Sequence, residues 1–506
     1  MACKEHLRKI PWLILGITAV GGFLRAIALG RNGLWYDEVV TVLGSRESLS
    51  SMVQHMGQPP LYSLILHFWI LAFGQSDVAV QSLSVLIGIA CIPLMYLIGA
   101  ELFDKKIGLA AAFIMAISGF AIYYSVEVRM YSLLLLLTLL SFLCFVRLLM
   151  ANRPSKMQVL CYSISNILMC FTQLYGFFTI GVQILYFVLF RHRYAKAKVP
   201  FWSAQAITLI AFGAAIVPII GLFRVVAVGS IAGDVPPFSS LAVLQQLTAF
   251  CGWGAAAPIL TLVFGSLCIM AFLHFPTARS EDGSRESGRR VEKAKVTLPL
   301  LRPKRALLLL WLLVPLLASL AISIVWEPIF RAKYLIDVTP ALYLLTAQGV
   351  VSTGSYFRRF VKPFDVTHVA LAIISLCSVL SLADLYLLPQ HEQWREAARF
   401  VQTASQPDDV VVVSPSGYLG CFDYYYKGTL QEFGTSANLA DNQTLTDFVT
   451  TTTAGRKLLW LVLLTYENTI NAPIKPFLEL RFGGPVQEKE LYAIHVYLFD
   501  VQAMSP

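Results

Sequence analysis

The segment LYSLILHFWILAF (residues 61–73), introduced by Pro59-Pro60, decides how the chain is laid out. It is about 13 residues long, and an α-helix needs roughly 20 to cross a hydrocarbon core of ~30 Å. Read as a span, it would place Lys105 and Lys106 outside the cell and invert every later basic loop. Read as an interfacial or re-entrant helix, it leaves one basic face. That face holds Lys105/Lys106, Arg147/Arg153/Lys156, Arg191/Arg193/Lys196/Lys198, the segment 276–305 and Arg358/Arg359/Lys362. Lys and Arg accumulate in cytoplasmic loops, so the interfacial reading is the consistent one.

Working outward, charge is absent from about a dozen apolar blocks of spanning length. The chain of 506 residues is 57% hydrophobic and 14% charged, against roughly 25% charged in soluble domains. This composition specifies a polytopic α-helical membrane protein and excludes a large soluble one. The formal charge of +9 falls in short loops, so topology accounts for it and no nucleic-acid partner is implied. The expected spans are Ile10–Leu29, Val78–Ala100, Ile107–Tyr123, Met130–Met150, Met157–Phe171, Phe177–Phe190, Phe201–Leu222, Ala256–Phe275, Ala306–Val325, Tyr334–Val351 and Val366–Leu388, eleven in all. Lys4, Arg8 and Lys9 precede the first, which reads as a retained signal-anchor with a cytoplasmic N-terminus. Segment 276–305 is mixed in charge and poor in apolar residues, and is expected to be a disordered cytoplasmic linker.

After Pro389 the composition changes. His391–Ala404 places Trp394, Ala397 and Val401 on one helical face. Residues 409–413, 457–464 and 491–498 have strand patterns. Residues 390–506 are therefore expected to form an α/β domain beside a transmembrane domain 1–389. Eleven spans from a cytoplasmic N-terminus put it on the outer side, as they do the loop 30–60. Asn442-Gln443-Thr444 is a glycosylation sequon there. Nine cysteines are present without metal-ligand or CxxC spacing, so no zinc site or disulfide framework is indicated. Cys251 and Cys421 both fall on the outer side, and their pairing is left open.

The same bookkeeping leaves three polar groups against the membrane on the outer face. The first is Tyr36-Asp37-Glu38 within LWYDE (residues 34–38). A carboxylate there can take a proton from a hydroxyl nucleophile; equally, Asp37 can cap a helix or pair with Arg31. The second, Tyr123 to Tyr131, holds Glu127 and Arg129 between two spans. These suit substrate contact, or an ion pair anchoring the loop. The third, Trp326 to Tyr334, brings Arg331 and Lys333 to the start of a span. They can bind a lipid phosphate or simply snorkel, and Arg224 can add to them. Trp35, Tyr62, Trp69, Tyr124 and Tyr131 can stack on sugars or belong to the interfacial aromatic belt. Carboxylates and cations on one face, with no metal cluster, fit displacement at a sugar carbon: a hydroxyl attacks, a carboxylate takes its proton and a lipid-linked phosphate leaves. No cofactor is indicated, and a divalent metal has no support in the residues.

At these motifs the sequence resembles the GT-C glycosyltransferases that use polyprenyl-phosphate sugars. It is similar to bacterial relatives of dolichyl-phosphate-mannose–protein mannosyltransferases and to aminoarabinose transferases. The resemblance lies in LWYDE, QPPLYSLILHFW, LFDKKIGLAAA, YYSVEVRMYSLLLL, RAKYLIDVTPALYLL and EQWREAARFV. It is dense over the first 150 residues or so and thin between about 180 and 320. It implies a catalytic base at Asp37 with Glu38 beside it, a second acid at Glu127, and interfacial helices in the first outer loop. With it come expected donor contacts from Arg129, Arg331, Lys333, Arg224, Tyr36, Tyr131 and Tyr334. The implied partners are a polyprenyl-phosphate sugar, membrane lipid, and a glycan, lipid or protein acceptor. The implied place is the cell (inner or plasma) membrane. Three positions depart from the pattern. Gln58 and Gln173 stand where relatives often carry His, which argues against a metal there. Lys333 stands where Arg is common, keeping the charge but not the bidentate fork. A flippase for a lipid-linked sugar and a non-catalytic membrane scaffold are the rival readings.

Overall fold

The computed structural model describes residues 12–49, 51–52, 59–216, 239–273, 303–326, 328–357, 366–435, 442–465 and 473–502. Arg224, Glu327 and most of segment 276–305 lie outside the described residues. The chain divides into two compact units. One comprises Met1–Ile27, Leu49–Ile65 and Ser82–Leu385; the other comprises Ala28–Ser48, Leu66–Gln81 and Tyr386–Pro506.

The first unit is helical. Among the described residues, five helices are long and apolar enough to cross a membrane: Asp77–Leu102, Tyr131–Met150, Gly254–Phe272, Pro303–Val325 and Val366–Leu387. Three shorter apolar helices are Trp12–Ala28, Leu61–Phe73 and Gly176–Leu189. With no hydrophobic drive between helices in lipid, close backbone approach and polar side chains hold a bundle together. Both are present. A Cβ on Gly349 would lie 2.0 Å from the Leu267 carbonyl oxygen, so only glycine lets those two helices meet. A buried polar ladder ties four helices. Gln205 donates to the Tyr162 hydroxyl (2.8 Å), which donates to Gln183 Oε1 (2.7 Å). Gln183 Nε2 donates to Ser141 Oγ (2.8 Å), which donates to Asn166 Oδ1 (2.6 Å).

The expected continuous span Ile107–Tyr123 is instead broken. Helices Lys105–Ile117 and Gly119–Val126 meet at 58°, and counted as one span they bring the total to six. Two side chains stabilise the break. Ser118, in an extended conformation, accepts from Ala121 N (3.3 Å) and so caps the second helix. The buried guanidinium of Arg25 donates to the Ala116 (3.2 Å) and Met115 (3.3 Å) carbonyls that the first helix leaves unpaired. A freed carbonyl in a membrane helix needs such a partner.

The second unit contains a five-stranded sheet in the order β2-β1-β3-β5-β4. The strands are β1 (Val410–Ser414), β2 (Gln431–Gly434), β3 (Leu458–Leu464), β4 (Gln487–Leu491) and β5 (Ile494–Asp500). β2, β1 and β3 are parallel, with Val412 opposite Phe433 and Leu461; β5 and β4 complete the sheet antiparallel. The inner strands are buried on both faces, as parallel strands covered by helices must be. On one face Val410, Val412, Leu459 and Leu461 pack with Leu445, Val449, Ile474 and Leu478. On the other, Trp460 meets Phe400 of the helix Trp394–Ala404 edge to face at 5.7 Å. The strand readings at 409–413, 457–464 and 491–498 correspond to β1, β3 and β5. β2 and β4 are short polar edge strands, whose sequences QEFG and QEKEL carry no apolar run.

Candidate active site

The two acids of LWYDE occupy the first turn of the helix Tyr36–Ser45 and differ in burial. Glu38 is 2% exposed, and its Oε2 accepts from the Trp35 backbone N–H (3.2 Å). This is the acid half of a capping box, which satisfies a helix-start donor. Asp37 is half-buried; its backbone carbonyl accepts from the Thr41 hydroxyl (2.7 Å). The flanking aromatics are held by the C-terminal segment of the same unit. Trp35 stacks on His391 at 4.8 Å with 3° between ring planes, and Tyr36 lies 4.7 Å from Tyr418. Buried Cys421 is near both Asp37 and Glu392: burial pushes its thiol up, and those two carboxylates add to the shift.

Ahead of this helix, the loop from Gly30 makes its hydrogen bonds with distant side chains. Arg395 Nη1 donates to the Gly30 carbonyl (3.0 Å) and Nη2 to the Arg31 carbonyl (2.8 Å). The same guanidinium bonds Asp77 Oδ2 (3.1 Å) and Glu396 Oε1 (3.1 Å). Tyr425 Oη accepts from Leu34 N (2.6 Å) and donates to Asp77 Oδ1 (3.1 Å). Burial, then the Asp77 carboxylate, hold the Tyr425 hydroxyl protonated, as this donation requires. Gly30 N donates to Gln81 Oε1 (2.7 Å). Sequence reasoning did not assign these residues. The signal was present in EQWREAARFV, which contains Arg395, but nothing local tells where a guanidinium reaches.

In the helical unit, the tract Tyr123–Tyr131 is mostly helix. Gly119–Val126 carries Tyr123 and Tyr124, and the next helix begins at Tyr131, so Glu127–Met130 alone form the turn. Glu127 and Arg129 are 5% and 7% exposed, and Arg129 N donates to the Glu127 carbonyl at 2.8 Å. Tyr131 is fully buried, 5.1 Å from Tyr124 and 6.2 Å from Tyr334 by ring centroids. Tyr334 also lies 5.3 Å from Tyr175, whose hydroxyl donates to the Ile329 carbonyl. Arg331 and Lys333 are half-buried. Lys333 Nζ stands 5.3 Å from the Tyr334 ring, within cation–π range. Ala332 N is held by Gln246 Oε1 at 2.7 Å. The tyrosine rings thus bring the Glu127–Tyr131 turn and the Arg331–Tyr334 segment into one cluster. Among the described residues there is no group of three or more His, Cys, Asp or Glu that could hold a metal ion.

A family model described as dolichyl-phosphate-mannose-protein mannosyltransferase matches residues 57–217. Among solved structures, ArnT from Cupriavidus metallidurans bound to undecaprenyl phosphate aligns over 98% of this chain and 99% of its own, with 12% identity and a TM-score of 0.57. The oligosaccharyltransferase AglB from Archaeoglobus fulgidus, in complex with an inhibitory peptide and a dolichol-phosphate, aligns over 88% of this chain and 69% of its own. Its identity is 11% and its TM-score 0.55. No curated protein matches the sequence. The fold is that of the GT-C glycosyltransferases, as the sequence motifs implied: a multi-pass helical membrane protein with a C-terminal sheet domain.

Proposed function

We propose that the chain is an inverting glycosyltransferase that moves a sugar from a polyprenyl phosphate to a hydroxyl acceptor on the extracytoplasmic side of the membrane. The observation that carries this reading is the division of labour within LWYDE. Glu38 is turned inward as a helix cap, which leaves half-buried Asp37 as the acid of the pair able to meet a substrate. In the reaction the acceptor oxygen attacks the anomeric carbon and Asp37 takes the hydroxyl proton. The bond from that carbon to the phosphate oxygen breaks, and its electron pair leaves with the phosphate. Attack opposite the leaving group inverts the anomeric configuration. Arg331 and Lys333 neutralise the departing phosphate, with Arg129 and Glu127 beside them lining the donor side. Arg224 is assigned to the same phosphate from sequence alone. The eleven-span topology, with a cytoplasmic N-terminus and residues 390–506 outside, belongs to this proposal; it rests on the basic loops.

The test is transfer in proteoliposomes from a radiolabelled polyprenyl-phosphate sugar to a hydroxyl acceptor mixture. Formation of a glycosidic bond that is lost in Asp37→Asn, with insertion intact, is the expected result. Turnover near wild type in that variant removes Asp37 from the mechanism. The broken helix at Ser118 and buried Arg25 are features that a lipid-sugar transporter would share. Label crossing the bilayer with no new glycosidic bond would favour that reading.

A further inference from the structure

The loop from Gly30 to Trp35 leads into the helix that bears Asp37, yet it makes no regular structure of its own. Each backbone donor and acceptor in such a loop needs a partner. Three of its hydrogen bonds come from residues more than 350 positions later, while Gln81 and Glu38 meet the Gly30 and Trp35 amides. Arg395 takes two consecutive carbonyls and Tyr425 takes the Leu34 amide, while Asp77 ties Arg395 to Tyr425 by accepting from both. The Arg395 and Asp77 side chains are only 16% and 14% exposed, so water competes little for these bonds. The loop is also pressed against Arg395 and Tyr425: a Cβ on Gly33 would lie 3.0 Å from Arg395 Cβ and 3.4 Å from Tyr425 Oη. A lysine cannot reproduce this arrangement. Its single ammonium lacks the planar fork that spans two carbonyls and a carboxylate at once.

We infer that Arg395, Asp77 and Tyr425 are positioning residues for the transfer reaction: they form a clamp by which the C-terminal α/β domain fixes the loop leading into the helix that carries the base. The EQWREAARFV segment then has a specific task, and the domain is part of the catalytic apparatus. This inference rests on the reading of Asp37 as the base.

The experiment uses the full chain in nanodiscs, with a polyprenyl-phosphate sugar as donor. It compares Arg395→Lys, Tyr425→Phe and Asp37→Asn for kcat, donor KM, melting temperature and hydrogen exchange of residues 28–48. For Arg395→Lys the expected result is a fall in kcat of tenfold or more, with KM within twofold and melting unchanged. Faster exchange should be confined to residues 28–48. Tyr425→Phe, which keeps the ring, should show the same pattern more weakly. If both variants turn over within twofold of wild type while Asp37→Asn is inactive, the clamp does not position the base and the inference fails alone. A rise in KM at constant kcat, or losses that follow the melting temperature, overturns it as well. An active Asp37→Asn would instead overturn the base assignment; the inference would fall with it, whatever the exchange data show.

Discussion

With Glu38 capping the helix start and Asp37 proposed as the base, the two adjacent acids should separate cleanly on substitution. Asp37→Asn removes a carboxylate proton acceptor from a half-buried position and leaves the Glu38 cap in place. General-base catalysis contributes roughly 10²–10⁴ in rate, so kcat should fall by about that factor, or ~3–5 kcal/mol on the barrier. Glu38→Gln keeps an acceptor oxygen for the Trp35 N–H, now 3.2 Å from Glu38 Oε2. The charge on that bond is lost, about 1 kcal/mol of stability, and transfer should stay within about threefold of wild type. Glu38→Ala strands the Trp35 N–H and leaves a void where a 2%-exposed side chain had been. It should cost about 1–3 kcal/mol in stability, lowering the melting temperature before it lowers kcat. The assay pairs single-turnover transfer of labelled sugar with thermal unfolding of the same preparations. If Glu38→Gln is as inactive as Asp37→Asn at an unchanged melting temperature, the capping argument is refuted and Glu38 faces substrate.

Three further outcomes follow from other parts of the chain. Arg25→Leu strands the Met115 and Ala116 carbonyls at the helix break, so unfolding in detergent should show a loss of about 2–5 kcal/mol; Arg25→Lys should recover part of it. Lys333→Ala should raise the donor KM about tenfold with a smaller change in kcat, while Lys333→Arg should hold or lower KM by adding a bidentate fork for phosphate; initial rates against donor concentration measure both. Burial, aided by Asp423 and opposed by Lys427, raises the Glu432 carboxyl from its ordinary 4.5 to about 7. The folded state therefore holds that proton more tightly than the unfolded chain does. Its contribution is full below pH 4.5 and is lost as pH rises through about 7. Melting temperature should drop between pH 5 and pH 8, and Glu432→Gln should flatten that drop.

What could be read from the sequence was whatever leaves a local apolar pattern. The helix at 61–73, the long helices near 78–100 and 130–150, and strands β1, β3 and β5 all announce themselves by uninterrupted apolar residues. The polar edge strands β2 and β4 do not, because at a sheet edge burial on both faces is no longer required. The break at Ser118 is invisible within IMAISGFAIYY: an apolar window has no term for an arginine about 90 residues away that stabilises the bend. The sequence pattern singled out Asp37 and Glu38 as candidates but could not tell the helix cap from its neighbour. That distinction depends on whether a side chain folds back onto its own helix start, which is a matter of rotamer and packing.

The least legible part of the site is also the part with the clearest physical reason to exist. A base on an unrestrained loop must be ordered anew at each encounter, and fixing a residue's backbone costs ~1–2 kcal/mol. For the six residues 30–35 that is about 6–12 kcal/mol, comparable to what proximity and orientation contribute to catalysis. Arg395, Tyr425, Gln81 and the Trp35–His391 stack meet that cost when the protein folds, before substrate arrives. Local propensity cannot do this for a Gly- and Asn-containing loop (residues 30–33, GRNG), which favours turns over any one extended path. Long-range side-chain bonds to the loop's own carbonyls can, and they make the geometry of Asp37 depend on residues near position 400. With Asp37 as the proposed base, the C-terminal domain acts on catalysis through the backbone of the first loop, without any need for its own side chains to touch the sugar.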